Sequence, residues 1–575
     1  MPADAPAEVA AGRAERATRR LGLPVLSWLP GYAPAWLPQD AVAGVTLAAY
    51  AIPVALAYAA LAGLPPQLGI YGYLLGGLGY ALFGSSRHLA IGPTSAISLM
   101  VGAGAAAIAG GDPAMHAAVA TLTAFAVAVI CLVAWGARLS ALVKLISNSV
   151  LVGFRFGAGL TISMTQLPAL FGVPGGGRDF IERAWLLLGQ LGEVNPYALA
   201  LGLAALIALV AGGHLLPGKP VALAVVVLAI AAVPALGLAG HIAVTGAIPP
   251  GLPEIGLPQL RLRDVPDLFP LAAGCVLLAY IEGVSAARSF AEKHGYAINA
   301  RREFLGLGAA NLLAGLGHSY PVAGGLSQSA VNEKAGARSP LSLVFASATL
   351  ALCLIFLTGP LAYLPKAVLA AIVLTAVAGL IDVGAMARLW RVSRLDFAAA
   401  SCALAGVLLL GILQGVLLAA LASVLMVLAR GTRPHVAVLG RIPGTRQFGD
   451  RGLHPENEPI PGVLAVRPEG ALIYLGAEHV EEAVMAAVDA APAGALRTVV
   501  CDLSATPNMD FSGAQALRRL HAALAARGIA LRLVGAHGRV REVLRRDGIA
   551  VLAGGGDRGD TLEGFAMGDA AGQAR

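Results

Sequence analysis

The run Tyr320–Ser339, YPVAGGLSQSAVNEKAGARS, interrupts long apolar stretches with small and polar residues, among them Gly324, Gly325, Ser327, Gln328, Ser329 and Asn332. Pro321 and the glycine pair disfavour a continuous helix, whereas Leu326–Val331 can start a short one. Backbone freed by such a break is tolerated at membrane depth only where it faces protein or a watery cavity. A helix beginning near Ser327 would present unpaired N–H groups and the positive end of its dipole, which is chemistry suited to an anion. Taken alone, the stretch reads equally well as a loop between two membrane helices. A second run of the same character lies early in the chain: Gly92-Pro93-Thr94-Ser95-Ala96-Ile97-Ser98, preceded by His88–Ile91, a short extended piece. Pro93 fits the first turn of a helix, where no N–H is needed.

Glu282 is the third chemical feature, in CVLLAYIEGVSAARSF. A carboxylate well inside an apolar run is costly, and such residues face cavities and serve ions or protons. The competing reading places Glu282 near a helix end, paired with Arg288 in water. Arg155, in LVGFRFGAG, is expected to snorkel or to line a cytoplasmic vestibule. Enzymatic chemistry finds no support: no metal-ligand spacing, nucleophile–base pair or P-loop is visible.

The elements that must position these residues are membrane helices. The 575-residue chain is 57% hydrophobic and 13% charged, with 72 glycines and a mean hydropathy of +0.75. That composition describes a polytopic membrane protein with closely packed helices. A net charge of +7, dispersed along the chain, excludes nucleic acid as a partner. The five cysteines form no CxxC pair, so neither a disulfide framework nor a zinc site is expected.

Residues 1–36 carry Arg13, Arg16, Arg19 and Arg20 without a cleavage site, a cytoplasmic segment and not a signal peptide. Residues 37–430 hold a succession of apolar runs, about fourteen with the polar-interrupted ones included. Alternation puts the loops with Arg87, with Arg138 and Lys144, with Arg301 and Arg302, and with Arg388, Arg391 and Arg394 on one side. The positive-inside rule makes that side cytoplasmic, together with the N-terminus and the C-terminal region, in the inner membrane. Residues 431–461 read as a Pro/Gly-rich linker. In 462–554, strand patterns at Gly462–Arg467, Ala471–Leu475, Leu496–Cys501 and Ile529–Val534 alternate with helical ones, a small α/β domain. Residues 555–575 are expected to be a disordered tail.

With halves of about 40–240 and 265–430, each interrupted run is the third apolar element of its half. Two interrupted segments at matching positions are the sequence signature of a transporter site between inverted repeats. The two half-helix N-termini would then meet near the midplane.

The succession of YAALAGLPPQLGIYGYLLGGLGYALFGSSRHLAIGPTSAISLM (Tyr58–Met100), the Glu282–Ala291 region and VAGGLSQSAVNEKAGARSP (Val322–Pro340) resembles the SulP family of anion permeases, over about Asp40–Gly548. The resemblance implies fourteen segments in 7+7 inverted repeats, divided into core and gate as in uracil permeases, a cytoplasmic STAS domain, and a homodimer. It implies an anion held between the third and tenth segments by Thr94, Ser95, Gly325, Leu326, Ser327 and Gln328, with Val54 and Tyr58 of the first segment closing the pocket. Glu282 matches an acidic residue linked to coupling in some members. Two departures stand out: Val54 where many members have glutamine, and Gln328 where many animal members have arginine. Backbone dipoles and hydroxyls are left as the expected ligands, and a proton could supply the missing charge. Ala286, where a sodium-binding branch has a hydroxyl, favours protons over sodium.

The STAS resemblance rests on VVCDLSATPNMDFSGAQAL (Val499–Leu517). Ser512 matches a phosphorylatable serine, and as an N-cap of the next helix it has a structural role that outweighs the regulatory one. The reading as a whole is a secondary active, proton-coupled importer of an inorganic anion, foremost sulfate, working as an elevator, with no cofactor. The alternatives are bicarbonate or a C4-dicarboxylate as substrate, or an uncoupled channel or sensor whose STAS domain binds a protein or nucleotide.

Overall fold

The computed structural model describes residues 25–139, 147–177, 179–216, 221–257, 265–492, 494–549 and 561–565. The arginines of the first twenty residues and Lys144 lie outside them. The chain forms two compact units, Met1–Ser423 and Val424–Arg575.

The first unit opens with α1 (Leu37–Leu61), α2 (Pro66–Phe83), strand β1 (Ile91–Gly92) and α3 (Ser95–Ala109). It continues with α4 (Pro113–Gly136), α5 (Asn148–Phe171), α6 (Phe180–Gly189), α7 (Pro196–Leu215) and α8 (Val221–Ala235). The second half repeats the plan: α9 (Val265–Lys293), α10 (Ala300–Leu316), strand β2 (Ala323–Gly324), α11 (Leu326–Lys334) and α12 (Leu341–Phe356). A short α13 (Thr358–Leu361), α14 (Lys366–Val377), α15 (Val383–Val392), α16 (Arg394–Leu410) and α17 (Ile412–Thr432) follow. Among the described residues, six helical stretches are long and apolar enough to cross a membrane, one of them running from α14 through α15, and α3, α8, α12 and the start of α17 are shorter apolar helices.

Apart from the short α13, the halves follow one plan. In each, the third segment is a two-residue strand leading into a half-helix, and the fifth is followed by a ten-residue amphipathic helix, α6 or α15. Both of these carry exposed apolar residues, Ile181, Trp185 and Leu188 on α6, and Val383, Trp390 and Val392 on α15. That pattern suits helices lying in the membrane interface.

Packing sorts the helices into two groups. One gathers α1–α4 and α9–α12 around the paired strands; the other gathers α5, α7, α8, α14 and α16. Small residues let the second group close. A side chain on Gly153 of α5 would run into the Ala400 backbone of α16, and one on Gly157 would press on Leu404 and Val407.

Side-chain contacts bring the loops with Arg87 and with Arg301 together, next to the end of α4 that precedes Arg138. At one end of the first unit, Arg301 stacks over Trp135 with its ring 5.1 Å away, and Arg87 lies over Tyr296 at 5.2 Å. There Glu303, buried at the start of α10, accepts hydrogen bonds from Tyr80 Oη (2.8 Å) and the Ser85 amide (3.0 Å). At the opposite end His116 bonds to the Ala62 carbonyl (2.8 Å).

The second unit is a five-stranded sheet in the order β4-β3-β5-β6-β7. Its strands are β3 (His435–Arg441), β4 (Phe448–Asp450), β5 (Val463–Glu469), β6 (Thr498–Asp502) and β7 (Ala530–Val534), with α18 (Ala477–Asp489), α19 (Phe511–Ala525) and α20 (Gly538–Asp547). The strands β5, β6 and β7 are parallel, and β3 joins β5 antiparallel. Residues 431–461, read as a linker, thus contribute two strands to the sheet. Ala471–Leu475 is not a strand: Leu472 makes a single bridge to Met509. Residues of the expected tail also reach the fold, since Leu562 is buried beside Val500 and Val534; most of that tail lies outside the described residues.

Ser512 does not cap α19. Asp510 does, accepting from the Gly513 amide at 2.9 Å and from the Tyr474 amide at 2.9 Å. Ser512 is the second residue of the helix, where its side chain has no capping work.

Candidate functional site

β1 and β2 pair antiparallel, Ile91 with Gly324 and Gly92 with Ala323. Two residues per strand leave most of the surrounding backbone polar groups unpaired, and side chains of α10 and α11 complete the set. Ser329 Oγ accepts from the Ala90 amide (2.9 Å) and donates to the Gly325 carbonyl (2.7 Å). Asn332 Nδ2 donates to the His88 carbonyl (3.2 Å). Asn311 holds Val322 at both its amide (2.9 Å) and its carbonyl (3.0 Å). The polar residues that made Tyr320–Ser339 conspicuous therefore divide into two sets, and Ser329 and Asn332 belong to the frame. Tyr320, fully buried, lies 3.2 Å from Ser98 Oγ and ties the second interruption to α3.

Gln328 also belongs to the frame. Its amide donates to the carbonyls of Ala90 (2.9 Å) and Ala323 (3.1 Å), and its oxygen accepts from Tyr73 Oη. Both amide hydrogens are used, so the residue offers the site its backbone N–H and not its side chain. Gly92 completes this corner, because any side chain there would overlap the Tyr73 ring.

The half-helices begin at Thr94 and Gly325, both in extended conformation, and neither N-terminus has a side-chain cap. Their first N–H groups have no partner in the helix itself. They open on a cavity of about 330 Å³ that Pro93, Thr94, Ser95, Gly325, Leu326, Ser327 and Gln328 line from the two half-helices. Thr94 is 8% exposed, and its hydroxyl has no hydrogen-bond partner among the described residues. An anion seated here would meet two dipole ends and the hydroxyls of Thr94, Ser95 and Ser327.

Tyr58 joins the cavity wall from α1, but Val54 does not: it is buried in packing and lies outside the lining. Tyr50, two helical turns before Tyr58, takes part instead. Tyr50, Val54 and Tyr58 lie four residues apart on one helical face, so the i−4 step from Val54 was the available signal. Tyr73, Ser285 and Ser289 also went unread; the two serines follow Glu282 at the i+3 and i+7 spacing of a single face.

Glu282 lines the cavity from α9, and Arg155 of α5 is the cationic side chain that lines it among the described residues. Arg288, the partner weighed in the sequence, does not line the cavity. Arg155 lines the same cavity wall, so it is no headgroup-seeking side chain. No group of three or more His, Cys, Asp or Glu suited to a metal occurs among the described residues.

Comparison with known proteins agrees with this architecture. Residues 37–403 match the sulfate permease family and residues 454–552 match the STAS domain. A probable sulfate transporter of Mycobacterium tuberculosis is 35% identical over 526 residues, covering 90% of this chain and 94% of its own. The low affinity sulfate transporter 3 of Stylosanthes hamata is 32% identical, covering 89% and 84%. Among solved structures, SLC26A9 superimposes with a TM-score of 0.84 at 22% identity over 98% of this chain and 95% of that one. The transmembrane domain of the cyanobacterial bicarbonate transporter BicA gives 0.59 at 24% identity, over 68% and 98%. A family match over most of the chain, with relatives of this identity and coverage, places it: the chain belongs to the sulfate permease family and carries a C-terminal STAS domain.

Proposed function

We propose that this membrane protein, an anion transporter by family, is a proton-coupled importer of sulfate. The observation that carries the reading is the meeting of two uncapped half-helix N-termini at one cavity that also holds Glu282. The dipoles and hydroxyls suit a small oxyanion, and the names of its relatives favour sulfate. Glu282 supplies a protonatable group within reach of the same cavity, which suits a proton travelling with the anion. The division of helices into two packed groups, with the cavity walled by both, supports movement of the strand-bearing group against the other. The charge asymmetry of the loops favours a cytoplasmic N-terminus, cytoplasmic basic loops and a cytoplasmic STAS domain.

Uptake of labelled sulfate, bicarbonate and fumarate into proteoliposomes, with and without an inward proton gradient, tests this. Gradient-driven accumulation of sulfate above the other two is expected. Accumulation of none overturns coupled transport, and a preference for bicarbonate or fumarate overturns the substrate.

A further inference from the structure

The cavity presents an electrostatic problem that the half-helices alone do not solve. Each uncapped N-terminus is worth roughly half an elementary charge, so the pair offers a dianion about one positive charge. Gln328 adds none, and its amide hydrogens are already bonded to Ala90 and Ala323. Glu282, when ionised, cancels what the dipoles offer. Among the described residues lining the cavity, the single cationic side chain is Arg155.

Its placement follows from the helix that carries it. Gly153 and Gly157 press one face of α5 against Ala400, Leu404 and Val407 of α16. Arg155, two residues from each, stands about 200° around the helix from both and faces the cavity. Thus the guanidinium comes from the α5–α14–α16 group and the half-helix ends come from the other. An anion bound between them touches both.

Resting on the sulfate–proton reading above, we propose that Arg155 is the anion's cationic ligand and the charge against which Glu282 is balanced. With Glu282 ionised, the site carries about one net positive charge: one from the two dipoles, one from Arg155, less one from Glu282. With Glu282 protonated it carries about two, matching a dianion. One proton then accompanies one sulfate. The Arg155 charge, which offsets ionised Glu282, is left for the anion once the carboxylate is neutralised. The other titratable groups on this wall are Tyr50 and Tyr58 from α1 and Tyr73 from α2; α9 itself adds only Ser285 and Ser289 near Glu282. Neither histidine nor lysine lines it among the described residues.

The test is equilibrium binding of labelled sulfate to the purified full-length protein at pH 5.5 and pH 8, with nitrate as a competing monoanion. Arg155→Met is expected to weaken sulfate at least tenfold at pH 5.5 while nitrate competition changes less than threefold. Arg155→Lys, which keeps the charge, is expected to stay within about threefold of wild type. Arg155→Met/Glu282→Gln carries no uncompensated carboxylate, so it keeps the test open if Arg155→Met folds poorly; it is expected to bind sulfate equally at both pH values, at the strength of wild type at pH 8. Sulfate binding by Arg155→Met within threefold of wild type, or equal losses for sulfate and nitrate, would reduce Arg155 to a piece of wall. A double variant that keeps the wild-type pH dependence would remove Glu282 as the charge that Arg155 balances. Wild-type protein that binds neither anion overturns the transport reading itself, an outcome separate from these.

Discussion

Ser327 and Gln328 are sequence neighbours with opposite duties, and substitution should separate them. Ser327 faces the cavity, and its hydroxyl makes no hydrogen bond among the described residues. Ser327→Ala should therefore leave thermal stability unchanged and weaken anion binding roughly tenfold, the worth of a hydrogen bond to a charged group. Gln328→Ala strips donors from the Ala90 and Ala323 carbonyls and an acceptor from Tyr73 Oη. Each buried group left unsatisfied costs about 1–3 kcal/mol, so a lowered melting temperature in detergent is expected at any sulfate concentration. An unshifted melt for Gln328→Ala would mean that its amide is not part of the frame. Glu282 belongs to neither class: Glu282→Gln keeps the shape and removes the titration. Sulfate uptake by that variant should lose its dependence on the proton gradient while sulfate–sulfate exchange continues. A gradient response equal to wild type assigns coupling to another group.

Elements differ in how much of themselves they wrote into the sequence. The long helices were legible because about twenty apolar residues in a row have few other fates, and the half-helices because Gly, Pro and hydroxyl residues are costly inside a membrane without a reason. β1 was legible only as the end of the extended piece His88–Ile91, and β2 not at all; the antiparallel pairing of Ile91 with Gly324 emerges only when both halves fold. α6 and α15 went unread since ten-residue amphipathic helices look like polar loops between spans. β3 was hidden for a different reason. His435–Arg441 has an apolar middle, Val436–Leu439, but Pro434 and Pro443 frame it and charge surrounds it, so the composition suggested a linker. Ser512 was misplaced by two residues because Asp510 and Ser512 are equally good caps in isolation, and only the Gly513 amide decides between them. Where an element is set by close approach, the prediction is sharper. Gly153 meets the Ala400 backbone with no room for a methyl group. Gly153→Ala should push α5 from α16 and destabilise the protein by about 1–3 kcal/mol, the usual cost of overpacking, read as a lower melting temperature. No change would mean that these helices are held apart at that point.

At the scale of the whole membrane unit, the grouping of helices has a mechanical consequence. The strands, both half-helices and Glu282 lie in one packed group, and Arg155 lies in the other. A protein interior packed at such density shifts between discrete arrangements more readily than it deforms, so a change of access should displace one group as a body. Spin-label distances distinguish that from local gating. Val129 of α4 and Leu312 of α10 are exposed positions within the strand-bearing group, and Ile207 of α7 is exposed on the other. Cys402 is the exposed native cysteine among the described residues and would be replaced first. The Val129→Cys/Leu312→Cys distance should be the same with and without sulfate at pH 5.5, because both labels ride on one body. The Ile207→Cys/Leu312→Cys distance should shift or broaden on adding sulfate, since the anion bridges Arg155 and the half-helix ends. Invariance of both distances while transport continues would reject rigid displacement and leave side-chain gating at the cavity mouth. A change in the first distance would instead break the strand-bearing group into parts, and the shared frame built by Gln328, Ser329 and Asn332 could not then be what carries the site.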